Sequence, residues 1–219
     1  MKNLILLAAP GAGKGTLAKQ LKEEYNYVHI STGDLLREIV ASDDPLGVKI
    51  KEIQTQGALV SDDIVFEVLK KRLSRPDCKS GIILDGFPRN LKQAEKYEEI
   101  INELGIDLGI AILLDIDQEI LKKRITGRRL CKECGEIYNI YISGMIPKVD
   151  GVCNKCGGEL YQRHDDNEES LKVRYNTFLD QTAPLIDYYN NKSILYKVDA
   201  GGTPENTLNQ VKKIIKEGE

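Results

Sequence analysis

Short, nearly unbroken apolar runs alternate along the chain with longer stretches in which apolar positions recur at helical spacing. Leu4-Ile5-Leu6-Leu7-Ala8 reads as a buried strand, and a helical pattern follows from about Lys14 to Tyr25. Val28-His29-Ile30, Ile82-Ile83-Leu84, Ile110–Leu114 and Ile194–Val198 are four further strand candidates, each bounded by charge, glycine or turn residues. Strands apolar on both faces and separated by helices predict a parallel sheet covered on each side, an α/β fold of three layers. Thr203 before Pro204 marks a capped start for a last helix.

Two stretches break the alternation. From Ser31 to Val60 the pattern is helical, with turns at Asp43-Asp44-Pro45 and Gly57 and no strand. From Gly127 to His164 the helical period stops, glycine becomes frequent, and four of the five cysteines occur. Both read as insertions. The expected division is a core of residues 1–30, 61–126 and 165–219, a helical insertion at 31–60 and a cysteine-bearing insertion at 127–164.

Between the first strand and the first helix lies Ala8-Ala9-Pro10-Gly11-Ala12-Gly13-Lys14-Gly15-Thr16. In that context a glycine-rich turn is a phosphate loop rather than a flexible connection. Glycines let successive backbone N–H groups converge on phosphate oxygens, and the helix N-terminus adds partial positive charge. Lys14 can then reach β- and γ-phosphates, and the Thr16 hydroxyl lies near the metal-bound phosphates.

Composition narrows the setting. The chain has 219 residues, 41% hydrophobic and 30% charged, enough for a packed core. Thirty-one Lys plus Arg against 34 Asp plus Glu leave a net charge of −3, which argues against a protein held on nucleic acid by bulk positive charge. The longest apolar runs fall far short of the roughly 20 residues that span a bilayer. Neither a secretory leader nor a disulfide-dense cysteine pattern is present, so the expectation is a cytoplasmic protein without membrane contact.

Thr32-Gly33-Asp34 follows the second strand, Arg37 lies one turn further on, and Arg89 follows the end of the third strand. Two guanidinium groups from different strand ends could clamp one phosphate; on spacing alone, each is better read as a surface ion-pair partner. Asp85 ends an apolar strand beside the phosphate loop, a position suited to organising Mg²⁺ through bound water. Cys131-x-x-Cys134 and Cys153-x-x-Cys156 stand eighteen residues apart, each followed by glycine, as in zinc knuckles. Four thiolates of this spacing predict a closed, structural Zn²⁺ site rather than disulfides, and Fe could occupy the same sulfurs. Cys78 reads as a surface-turn thiol, and His29 and His164 as packed or solvated residues.

The loop, with Gly15 between Lys14 and Thr16, resembles that of nucleoside monophosphate kinases. Ser31-Thr32-Gly33-Asp34-Leu35-Leu36-Arg37, Asp85-Gly86-Phe87-Pro88-Arg89 with Gln93, and Gly127-Arg128-Arg129 match adenylate kinase motifs in the same order. The likeness covers both insertions, and the chain is identified as resembling the zinc-containing, long-lid adenylate kinases. That resemblance implies reversible transfer of a phosphoryl group from ATP to AMP, giving two ADP, with Mg²⁺, by a monomer. It implies ATP contacts from Gly11, Ala12, Gly13, Lys14, Gly15, Thr16, Arg124, Arg128, Ile137, Tyr138 and Gly201. AMP would be held by Thr32, Arg37, Gly86, Phe87, Pro88, Arg89, Arg163 and Arg174, with Ala58, Leu59 and Val60 against adenine and Gln93 reading its edge. Lys14, Arg89, Arg124, Arg128, Arg163 and Arg174 would stabilise the transferring phosphoryl, and Asp165 and Asp166 would tie the lid to its hinge.

On spacing alone, Arg124 and Arg128 share a helix face if the helix after Asp117 runs through both. Ala8 and Ala200 stand where the family usually has glycine. If position 8 needs a positive φ, its Cβ costs about 1 kcal/mol, and Ala8→Gly would improve nucleotide affinity or turnover. Two other readings stay open. Another nucleoside monophosphate kinase would take GMP or a pyrimidine nucleotide, whereas a zinc-ribbon ATPase on nucleic acid would need a basic surface between the knuckles. Gly135–Val152 offers one basic residue, Lys148.

Overall fold

A computed structural model describes residues 2–42, 45–55, 60–164 and 166–217, with backbone alone for 52–55. Ala58, Leu59 and Asp165, and the turns expected at 43–44 and Gly57, lie outside the described residues. The strands are β1 (Leu4–Ala8), β2 (Val28–Ser31), β3 (Ile82–Asp85), β4 (Ile110–Asp115), β5 (Arg128–Cys131), β6 (Ile137–Asn139), β7 (Leu160–Tyr161) and β8 (Leu195–Asp199). The α-helices are α1 (Lys14–Tyr25), α2 (Thr32–Val40), α3 (Pro45–Thr55), α4 (Asp62–Leu73), α5 (Leu91–Leu104), α6 (Gln118–Thr126), α7 (Glu168–Thr177), α8 (Pro184–Asn191) and α9 (Pro204–Glu217). A π-helical turn, Phe178–Thr182, joins α7 to α8.

Five strands form a parallel sheet in the order β2-β3-β1-β4-β8. All five occupy the runs that the apolar pattern marks: β1, β3 and β4 are buried on both faces and lack polar interruption, whereas the edge strands β2 and β8 are partly buried and carry His29 and Lys197 within short apolar runs. The two-residue period of a strand divides the core. Ile5, Leu7, Ile82, Leu84, Ala111 and Leu113 pack on one side with α4, α5 and α8. Leu4, Leu6, Ala8, Ile110, Ile112 and Leu114 face the other side, against α1, α6 and α9. The three-layer expectation therefore holds.

Chain order changes direction around central β1: its sequence successors lie on the β3 side, and β4 then opens the opposite half. Open parallel sheets place ligands at the carboxyl end of such a point, which is where the phosphate loop emerges. The segment expected to form the first insertion holds α2 and α3, which cross so tightly that a Cβ on Gly47 would run into the Ile39 carbonyl. The second contains a feature the apolar pattern does not mark, an antiparallel sheet in the order β6-β5-β7. Its strands are two to four residues long and β5 opens with two arginines, so no alternation is visible.

Candidate active site and cysteine centre

Gly11 and Gly13 have φ of 84° and 103°, conformations that a Cβ would strain. At Gly11 a Cβ would also meet Ile125 Cγ1 at 2.7 Å. Gly13 is the N-cap of α1 and supplies no side-chain acceptor, so the helix start is left to an incoming anion. The Lys14 ammonium curls back to donate to the Ala8 carbonyl at 3.1 Å. Burial lowers its pKa, with Asp85 pulling the other way and Arg89 adding to the lowering. Lys14 therefore feels the charges of both Asp85 and Arg89. Position 8 is ordinary strand backbone: Asn26 and Ser193 are the non-glycine residues at positive φ, so the condition for strain at Ala8 or Ala200 is not met.

The turn after β3 meets the start of α2. Thr32 Oγ1 donates to the Gly86 carbonyl at 3.4 Å, and Arg89 Nε donates to the same oxygen at 2.7 Å. Phe87 and Pro88 are buried and joined by a cis peptide. Arg37 is exposed and pairs with Asp34 on its own helix, the surface reading that spacing favoured for it. Gln93 is buried, and Val60 packs against the core.

His29 departs from expectation. It is neither simply packed nor solvated, because Nε2 lies 3.3 Å from Asp85 Oδ2 across the β2–β3 pair. Strand neighbours 56 residues apart bring it there, so no local signal could reveal it. Cys78 also differs, being buried beneath the Arg72 guanidinium rather than exposed in a turn.

The condition under which Arg124 and Arg128 would share a helix face is not met, because α6 ends at Thr126. Gly127 caps it, and Arg128 begins β5, so the two arginines sit on different elements. Arg124 donates to the Ala12 carbonyl at 3.1 Å and the Gly202 carbonyl at 2.9 Å, linking α6 to the phosphate loop and to the turn beside Gly201. Burial lowers its pKa, and Asp199 partly opposes that. Arg128 forms a two-pronged pair with Asp166, one contact being 2.8 Å through Nε; that carboxylate is fully buried. Arg163 is an exposed residue outside any helix, and Arg174 is half-buried in α7 with Nε on the Ser170 carbonyl at 3.2 Å.

Asn139 is a site neighbour the sequence reading missed. Its amide donates to the Arg124 carbonyl at 2.9 Å and its oxygen accepts from the Tyr141 N–H at 2.9 Å, stitching β6 to the end of α6. A Cβ on Gly127 would overlap this carboxamide. Between α1 and the second insertion lies a cavity of about 620 Å³, bordered by Gly15, Thr16, Lys19, Ile137, Tyr138 and Pro204. The phenol of Tyr138 is turned away into the cysteine knuckle, accepting from the Asn154 N–H at 2.8 Å. Lys19 and Glu136 approach to 3.4 Å across the cavity mouth.

The four knuckle sulfurs all lie within 4.8 Å of one another. Cys131–Cys156 and Cys134–Cys153 are 3.4 and 3.6 Å apart, close to the roughly 3.8 Å edge of a tetrahedron with 2.3 Å metal–sulfur bonds. The two knuckles are built alike. The N–H of Gly135 donates to the Cys131 carbonyl at 3.1 Å, and that of Gly157 to the Cys153 carbonyl at 2.9 Å. Both glycines take positive φ, which explains their place after each pair. Burial raises the Cys153 pKa, but hydrogen bonds from Tyr138 and the backbone N–H groups of Cys156 and Lys155 outweigh it and bring the thiol down to about 6. The donor set fits a metal ion.

The adenylate kinase family model matches residues 6–194 of the chain. An adenylate kinase of Thermodesulfovibrio yellowstonii is 50% identical over 212 residues, covering 97% of this chain and 98% of that protein. One from Archaeoglobus fulgidus is 48% identical over 213 residues, covering 97% of each. A third, from Thermosipho melanesiensis, is 45% identical over 214 residues, covering 98% of this chain and 99% of its own.

Proposed function

The chain belongs to the adenylate kinase family, ATP-binding phosphotransferases that convert ATP and AMP reversibly to two ADP, and on that premise we propose how its residues divide the work. The observation that carries the proposal is the glycine turn between β1 and α1, with Gly11 and Gly13 at positive φ, Lys14 folded onto the Ala8 carbonyl, and Asp85 on the neighbouring strand β3 in register with Leu6 of β1. ATP lies along the phosphate loop formed by Gly11–Thr16, its base toward Ile137, Arg124 and Gly201. AMP lies on the other side, its phosphate held by Arg37 and Arg89 and its base met by Gln93.

An AMP phosphate oxygen attacks the γ-phosphorus in line and needs no side-chain nucleophile or strong base, because it is already anionic. Lys14 carries the first part of the charge stabilisation. Burial removes water from its ammonium, and incoming phosphate oxygens restore the stabilisation that water gave. Arg128, Arg163 and Arg174 neutralise the equatorial oxygens as the lid excludes water that would otherwise hydrolyse ATP. Mg²⁺, when bound with ATP, screens the phosphate charge. Asp85 would organise it through water, and the His29 contact holds that carboxylate in place.

Zn²⁺ is the metal assigned to Cys131, Cys134, Cys153 and Cys156. All four positions are filled by protein, so the ion is structural. The protein works as a cytoplasmic monomer. Lys14→Met tests the assignment: turnover should fall about 10²–10³-fold with an unaltered circular dichroism spectrum. Unchanged turnover would remove Lys14 from the reaction.

A further inference from the structure

Gln93 has a side chain fixed from two directions. Its Oε1 accepts from the Arg89 backbone N–H at 2.7 Å, and its Nε2 donates to Asp62 Oδ1 at 2.7 Å. Gln93 is the third residue of α5, behind the N-cap Asn90, whose side chain accepts from the Gln93 N–H. A glutamine there commonly reaches back toward the helix start, so the Arg89 contact alone would be a capping device. Asp62 adds something capping does not need, since it comes from the first turn of another helix, α4.

The two partners are chemically unambiguous. A backbone N–H only donates, and a carboxylate only accepts. Turning the Gln93 carboxamide over would set Nε2 against the Arg89 N–H and Oε1 against the Asp62 oxygen, two repulsive contacts in a buried place. One N–H and one oxygen lone pair of the amide are left without a partner among the described residues. Adenine offers an acceptor at N1 and a donor at the 6-amino group. Hypoxanthine and guanine offer the reverse, an N1–H donor and an O6 acceptor. A freely turning glutamine could meet either edge, whereas one held in a single orientation meets one.

We propose that Asp62 is a positioning residue for base specificity, locking the Gln93 carboxamide in the orientation that accepts a 6-aminopurine and opposes a 6-oxopurine. The inference rests on the assignment of Gln93 to the base of the phosphoryl acceptor. Asp62 touches no substrate; it acts through Gln93, and its second oxygen lies 3.9 Å from Lys92 at the surface.

The test compares kcat/KM for AMP, IMP and GMP, with ATP as donor, in the full-length protein and four variants. IMP is the sharper probe, because it changes the 6-position edge without adding the 2-amino group of GMP. Asp62→Asn lets either face of Gln93 find a partner at position 62, so the AMP/IMP ratio should fall about tenfold or more, the worth of one charged hydrogen bond. Asp62→Ser, a good residue for a helix start whose hydroxyl both donates and accepts, should show the same fall. Asp63→Asn removes an equal charge from the same exposed helix turn and should leave the ratio within about twofold. Gln93→Ala should abolish most of the discrimination. If Gln93→Ala leaves the ratio unchanged, Gln93 does not read the base and the underlying assignment fails. If Gln93→Ala abolishes it while both Asp62 variants behave like Asp63→Asn, the assignment stands and the lock is overturned.

Discussion

Arg128 and Asp166 carry a lesson about what a catalytic arginine costs to remove. In the proposed mechanism Arg128 approaches the transferring phosphoryl group, and in the structure it pairs with a buried carboxylate, Asp166. Truncation would leave that carboxylate buried and unpaired, which destabilises by about 3–5 kcal/mol when the pair is fully enclosed and less where Arg128 is partly exposed. Arg128→Ala should therefore lower turnover by about 10²–10³-fold and also lower the melting temperature, measured by calorimetry alongside the kinetics. A lost rate with an unmoved Tm would mean that the pair contributes nothing to the resting fold. Ala8 gives the opposite kind of prediction. Because it is unstrained strand backbone and nearly fully buried, Ala8→Gly should not relieve anything. It should destabilise by about 0.5–1 kcal/mol, read from the denaturant midpoint.

At the scale of elements, the second insertion differs from the rest of the chain. Its own buried cluster consists of Cys131, Tyr138, Cys153 and Leu160, two of them metal-ligand candidates, so little apolar burial holds it without an ion. Chelation confirmed by metal analysis should lower the melting temperature, and re-addition of Zn²⁺ should restore it; an unmoved Tm would contradict a stabilising metal. The same contrast decides what was legible in the sequence. Strands β1, β3 and β4 could be read because burial on both faces leaves a continuous apolar run, and the edge strands β2 and β8 from short apolar runs that a single polar residue interrupts. The knuckles could be read because metal geometry imposes a fixed cysteine spacing. Strands β5–β7 could not, because at two to four residues they are too short to show alternation, and β7 joins β5 only through a pairing about thirty residues away in sequence. Spacing left open whether the helix carrying Arg124 runs on to Arg128, and Gly127 with the Asn139 carboxamide ends it first. His29, Asp62 and Asn139 were invisible for a common reason: each acts on a partner supplied by another element.

Across the whole molecule, a net charge of −3 hides a strong local concentration of the opposite sign. Six of nine arginines, at 37, 89, 124, 128, 163 and 174, belong to the phosphate-facing assignments, while most of the 22 lysines are spread over the surface. Two anionic nucleotides are thus met by focused charge, without a broadly basic surface. The Lys19–Glu136 contact joins the phosphate-loop helix to the lid across the cavity, but both groups are partly exposed. An exposed pair of this kind is worth about 0–1 kcal/mol, so it biases closure weakly and leaves the nucleotide to drive it. All of this focused charge serves one reaction, phosphoryl transfer between adenine nucleotides. A coupled assay of ADP formation from ATP with AMP, GMP, UMP and CMP as acceptors, on protein of known zinc content, tests it most directly. Turnover should be strong with AMP and at most a small fraction of that with the other three; equal or greater turnover with any of them, or none with AMP, would rule out an AMP-specific phosphotransferase.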